Sequence, residues 1–252
     1  MSDEGPIDDF RIRMVREKLK RVRRMLVVLS GKGGVGKSVI AATIAAQAAH
    51  SGKKVGIMDA DVYGPTSASI LGGRRRPKEG HDGLIPPEGN HVKVMSVDLF
   101  APGKPIPISG AGASEIILEM MALTDWGDLD LLVIDMPPAT GDIMMTMTML
   151  GGRRARALVV TTPERLSLSV ARRTLELLKA SRTPVVGIVG NMYRLSAAKD
   201  QNGPMSLARQ FHVPFLGALL FDEDLIKAVE KRNARRLLET RFARDLAQAF
   251  GP

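Results

Sequence analysis

The run Ser30-Gly31-Lys32-Gly33-Gly34-Val35-Gly36-Lys37-Ser38 constrains this chain more than any other stretch. It follows the apolar segment Met25-Leu26-Val27-Val28-Leu29, which predicts a buried strand. It precedes an alanine-rich segment over residues 39–49, which predicts a helix. Residues 31–38 satisfy the pattern G-x-x-x-x-G-K-S/T. Glycines at 31, 33, 34 and 36 let successive backbone N–H groups turn toward one anion, and a helix starting at Lys37 adds the positive end of its dipole. Lys37 is then placed for the β- and γ-phosphates of ATP and the Ser38 hydroxyl for Mg²⁺, with Val35 and Val39 completing the nucleotide-binding positions. A glycine-rich turn that binds nothing is the alternative, and the flanking strand and helix argue against it.

Two later strands close on acids. Lys54-Val55-Gly56-Ile57-Met58-Asp59-Ala60-Asp61 reads as the second strand, and Asp130-Leu131-Leu132-Val133-Ile134-Asp135 as another. In an open parallel sheet ligands sit at the carboxyl ends of the strands, so all three acids are expected near the phosphates. Asp59 and Asp135 are candidates for Mg²⁺, through water, and Asp61 for orienting the attacking water. Capping of the helix that begins near Thr66 is the alternative role for Asp59 and Asp61 and ranks second. Asn191, at the end of the strand predicted over 184–191, carries a carboxamide able to donate to and accept from a nucleobase edge.

Composition narrows the chemistry. With 252 residues, 44% of them hydrophobic but only 4% aromatic, the core must be built from aliphatic side chains and methionine. The absence of cysteine excludes disulfides, thiol catalysis and any iron–sulfur cluster held by the chain's own thiolates. The histidines His50, His81, His91 and His212 have no metal-ligand spacing. Met1 begins an acidic segment without a signal pattern, and no apolar run reaches the ~18 residues of a membrane span, so a soluble cytoplasmic protein is expected. The formal charge of +9 does not by itself select a partner, because the arginines are interspersed with acids.

Residues 7–24 alternate basic side chains with an apolar stripe at Ile12, Val15, Leu19 and Val22, which predicts a basic amphipathic helix. Docking on its own domain is preferred over a contact with nucleic acid or an anionic membrane. Met144, Met145, Met147 and Met149 in one helix read as adaptable packing, under a loop or at a subunit interface, rather than a soft-metal site. Thr162 is expected to cap a helix with Pro163 at its first position. Residues 237–250 are expected to form a final helix packed on the sheet rather than lying on a membrane. Strands alternate with helices throughout, giving an α/β fold: a mostly parallel twisted sheet with helices on both faces. The N-terminal helix (residues 1–24) leads into one P-loop domain (residues 25–252).

The motifs together resemble a known family. Lys32 directly after the first glycine is the mark of a deviant Walker A loop. With Asp59-Ala60-Asp61-Val62-Tyr63-Gly64-Pro65, Trp126, Asp135-Met136-Pro137-Pro138 and Gly190-Asn191-Met192, the chain resembles the Mrp/ApbC branch of the MinD/ParA-like ATPases from about Arg21 onward. The resemblance implies an ATP-dependent homodimer in which Lys32 crosses to the partner's phosphates as an arginine finger does. It also implies that Asn191 contacts adenine, and that a protein client in iron–sulfur assembly receives the output. In the family a C-x-x-C pair follows the Asn-Met element and holds a cluster between subunits; here residues 191–199 contain no cysteine. Ala139 replaces a usual glycine, Ser109 stands where an arginine is usual, and Leu220 where the base-contacting loop has proline. The resulting expectation is an ATP-hydrolysing Mrp/ApbC-like dimer. The alternative is a ParA/MinD-like nucleotide switch that docks DNA, membrane or a partner protein.

Overall fold

The computed structural model describes residues 9–104, 110–138, 141–194 and 202–250. Expectations attached to Ser109, Ala139 and residues 195–199 lie outside the described residues. The chain begins with α1 (Phe10–Leu19), β1 (Val22–Ser30), α2 (Lys37–His50), β2 (Val55–Asp59) and α3 (Ser67–Leu71). It continues through β3 (Lys78–Gly80), β4 (Gly83–Ile85), β5 (Glu88–Gly89), β6 (Val92–Met95), α4 (Gly110–Leu123), β7 (Leu129–Asp135) and α5 (Gly141–Gly151). The remainder comprises β8 (Ala155–Thr161), α6 (Arg165–Ala180), β9 (Val185–Tyr193), α7 (Asn202–Phe211), β10 (Phe215–Leu220), α8 (Glu223–Glu230), α9 (Ala234–Glu239) and α10 (Arg241–Phe250).

Eight strands form one sheet in the order β10-β9-β8-β1-β7-β2-β6-β5, with every pairing parallel except β5 against β6. The central strand β1 is buried without interruption from Met25 to its end, as a parallel strand covered on both faces must be. Its odd residues Met25, Val27 and Leu29 enter a core with Val15 of α1, Ile117 of α4, Met147 of α5 and Leu175 of α6. Its even residues Leu26 and Val28 enter a second core with Ile40 of α2 and with Phe242 and Leu246 of α10. The two-residue period of the strand thus sorts the helices into two layers.

The basic N-terminal helix is docked, as preferred. Val15 and Leu19 are buried, Arg11 pairs with Glu115 of α4 at 2.5 Å, and the Lys18 ammonium donates to the Asp82 carbonyl at 2.8 Å. It ends at Leu19, however, and the chain is already extended at Val22, which pairs with Leu129. Val22 suits the helical stripe and a buried strand equally, and the sheet takes it. The expected Thr162 cap is also corrected. Helix α6 starts at Arg165 after an N-cap at Glu164, while the Thr162 hydroxyl donates to the Glu164 carboxylate and lies 2.8 Å from Ser167 Oγ.

The expected final helix is two helices. Thr240 is extended (φ −67°, ψ 157°) and its Oγ1 accepts from the Ala243 amide at 3.1 Å, so it caps α10 and breaks α9. Phe242 and Leu246 are buried, which bears out packing on the sheet. Of the four methionines on α5, Met144 and Met147 are in the core while Met145 and Met149 face outward. Absent from the sequence reading are α7, the antiparallel β3–β4 hairpin and the short strand β5.

Candidate nucleotide-binding site

The glycine run leaves the carboxyl end of β1, which lies between β7 and β8 at the middle of the sheet, and leads into α2. Register brings the acids to it. Asp135 is the residue of β7 beside Val28 of β1, and on its other side it pairs directly with Asp59 of β2. Adjacent strands lie about 4.8 Å apart, so two fully buried carboxylates stand side by side under the loop.

A cation pairs with one of them. The Lys37 ammonium, itself buried, donates to Asp135 Oδ1 and to Ser38 Oγ at 3.2 Å. The other oxygen of Asp135 accepts from the Ser67 hydroxyl at 3.2 Å. Asp59 Oδ2 accepts from the backbone amides of Thr66 and Ser67, each at 2.8 Å, and Asp59 Oδ1 from the Asp61 amide at 3.1 Å. The capping role that ranked second for Asp59 is therefore present: its carboxylate receives the first amides of α3. Ser67, not singled out in the sequence, links both acids. The available signal was a hydroxyl at a helix start a few residues after an acid-terminated strand.

Burial, and next the neighbouring Asp135 carboxylate, push the Asp59 carboxyl up to about 7, against the opposing pull of the two α3 amides and Lys37. An acid raised above its unfolded value of ~3.9 binds more protons in the folded than in the unfolded state between those two values. Stability of the nucleotide-free, metal-free protein is therefore expected to fall as pH rises from about 5 to 7, by about 1.4 kcal/mol per pH unit at most from this group. The depressed carboxyls of Asp82 and Asp128 act in the opposite direction, but below the ordinary carboxylate range and at exposed sites. Urea unfolding at pH 5, 6, 7 and 8 in EDTA measures the slope, and Asp59→Asn should flatten it. An unchanged slope in that variant would remove Asp59 as its source.

The loop is pinned from behind at two points. A Cβ on Gly31 would lie 2.7 Å from the Val170 carbonyl carbon, so α6 packs directly on the first glycine. Gly36 has φ +83°, and a Cβ there would meet Asn191 Nδ2 at 2.3 Å. That nitrogen donates to the Val35 carbonyl at 2.9 Å. Asn191 is 5% exposed, and its side-chain nitrogen fastens β9 to the phosphate loop. This tie was not anticipated from the sequence. Leu220, the last residue of β10, pairs with Tyr193 two residues beyond Asn191.

The outer side of the loop is open. Lys32, Gly33 and Gly34 are exposed, Val35 is buried and Val39 half-buried. Among the described residues the Lys32 side chain has no ion-pair or hydrogen-bond partner; only its carbonyl is engaged, accepting from Ser30 Oγ at 3.1 Å. Asp61 is half-buried, accepts from the Gly64 amide at 3.1 Å, and lines a cavity of about 680 Å³ with Tyr63, Ser114, Pro138 and Asp142. The structure thus gathers Lys37, Ser38, Asp59 and Asp135 into one network, sets Asn191 behind the loop, and leaves Lys32 facing outward.

A glycine loop on the central strand of a mostly parallel sheet, with an acid on the neighbouring strand beside its lysine, defines a P-loop NTPase fold. A family model described as ParA: NUBPL iron-transfer P-loop NTPase matches residues 21–250. The iron-sulfur cluster carrier protein of Rickettsia bellii is 34% identical over 217 residues, covering 84% of this chain and 66% of its own length. That of Methanocaldococcus jannaschii is 31% identical over 243 residues, covering 92% of this chain and 84% of its own. A nucleotide-binding protein from Archaeoglobus fulgidus, solved in complex with ADP, superposes with a TM-score of 0.73 at 30% identity, covering 88% of this chain and 92% of the other. The chain belongs to the family of NUBPL-type iron-transfer P-loop NTPases. It spans 66% of the length of the Rickettsia relative.

Proposed function

We propose that the chain is an ATP-binding and ATP-hydrolysing dimeric ATPase that serves iron–sulfur cluster assembly or transfer without cluster ligands of its own. The observation that carries this is the buried network in which Lys37, poised at the start of α2, is held by Asp135 and Ser38 directly beneath the glycine loop. The ADP bound by the Archaeoglobus relative supports a nucleotide as the occupant.

The donors fit Mg²⁺ as the companion ion. A hydroxyl from Ser38 and carboxylates from Asp59 and Asp135 are hard oxygen ligands, and Mg²⁺ takes one or two carboxylates while keeping water and phosphate oxygens in its shell. When bound it neutralises charge on the β- and γ-phosphates. The chain's own side chains do the rest. Lys37 exchanges Asp135 for phosphate oxygens, Asp61 orients the attacking water, and Asn191 keeps the loop in shape while its remaining carboxamide capacity serves the base. Lys32 reaches the phosphates of a second subunit. Thiolate ligands for any cluster handled by this chain come from another molecule, because the sequence contains no cysteine.

Light scattering on the full chain tests the reading. A dimer with ATP and Mg²⁺, a monomer with ADP, and release of phosphate on turnover are the expected results. A chain that stays monomeric in saturating ATP and releases no phosphate would end it.

A further inference from the structure

At the opposite end of the sheet, where β8 and β9 begin, lies an open cavity of about 510 Å³. Its wall is built from Met149 on α5, Arg153, Arg156 at the start of β8, and the turn Arg182-Thr183-Pro184 that follows α6. Among the described residues no acidic side chain lines it. The three arginines are exposed, and among the described residues none has a carboxylate partner; the one guanidinium hydrogen bond is a long contact of 3.4 Å from Arg156 to the Ala155 carbonyl.

Helix ends are the first explanation to test against these charges. Helices α5 and α6 both terminate beside the cavity, at Gly151 and Ala180, and each C-terminus carries about half a negative charge. Three guanidiniums against two such ends leave roughly two positive charges uncompensated. The dipoles account for part of the cluster and leave the larger part without a partner.

The lining also discriminates between ligands. A single phosphate calls for convergent, buried donors, whereas here the guanidiniums are solvent-facing and come from two segments, residues 153–156 and the turn after α6, around a space of ligand size. Met149 is 67% exposed, and Pro184 adds a second apolar wall. Arginine and methionine are the side chains enriched at protein interfaces, and methionine adapts to different occupants. We propose that this cavity docks an acidic peptide segment of a partner protein, its carboxylates against Arg153, Arg156 and Arg182 and one apolar side chain against Met149 and Pro184. The site lies at the opposite end of the sheet from the phosphate loop.

The test is fluorescence anisotropy on the full chain with a fluorescein-labelled oligoglutamate carrying one central leucine. Arg153→Glu with Arg182→Glu should weaken binding by about tenfold or more, while the equally exposed pair Arg232→Glu with Arg236→Glu changes it by less than about twofold. Replacing the leucine of the probe with glycine should weaken binding about threefold. Equal losses from the two reversals would mean diffuse attraction to a basic protein and overturn the proposal. So would indifference to the leucine together with displacement by tripolyphosphate, which would make the cavity a small-anion site, and so would no binding at low salt.

Discussion

Lys37→Ala is expected to remove ATP binding and, at the same time, to destabilise the nucleotide-free protein by about 3–5 kcal/mol. The second effect follows from where this lysine rests: its side chain is 7% exposed, Asp135 is 0% exposed, and Asp59 stands beside Asp135 in register. Removing the ammonium strips Asp135 of its ion-pair partner and takes its favourable charge away from Asp59. The acids can escape by taking up protons, so the loss should be smaller near pH 6 than near pH 8. Adding Asp135→Asn to Lys37→Ala removes one of the orphaned charges and should recover most of the stability while leaving ATP binding absent. Urea unfolding and titration with a fluorescent ATP analogue separate the two effects. A Lys37→Ala protein that unfolds like the wild type at pH 8 would show that Lys37 does not hold the acids in solution.

The parts of this site that were legible in the sequence are those written locally. The glycine loop between an apolar strand and an alanine-rich helix, and acids closing strands at Asp59 and Asp135, are patterns within a dozen or so residues. Their mutual geometry is not local. That Asp59 faces Asp135 depends on β2 adding beside β7, and that Asn191 fastens Val35 depends on how far β9 extends past the loop. A carboxamide at a strand end reads as a base contact; only the fold reveals that its nitrogen is occupied by a backbone carbonyl. Ambiguous periodicity explains the errors in elements. Val22 continues the apolar stripe of α1 yet belongs to β1, and the stripe from Leu237 through Phe250 runs unbroken across Thr240, where the chain nevertheless starts a new helix. The hairpin of β3 and β4 has strands of three residues each, too short to show alternation in the sequence.

Lys32→Ala is expected to leave ATP binding intact and to lower hydrolysis by about a thousandfold, the scale of an arginine finger supplied by a partner. Unlike Lys37, this side chain is exposed and has no partner among the described residues, so its removal costs the fold little. Loss of hydrolysis alone would not distinguish a lysine acting within its own subunit from one acting across an interface. Mixing does. Asp61 follows β2 closely, and in the proposed mechanism it acts on the nucleotide of its own chain. In a dimer of one Lys32→Ala subunit and one Asp61→Ala subunit, one site retains its own Asp61 and receives an intact Lys32 from the other chain, while the second site loses both. Each variant alone should be inactive, and an equimolar mixture should recover about a quarter of wild-type turnover, since half of the dimers are mixed and each holds one complete site. If Lys32 served its own subunit, every mixed dimer would lack a group at each site and mixing would recover nothing. The recovered fraction therefore reads out directly whether the extra lysine of the glycine loop belongs to the neighbour's active site.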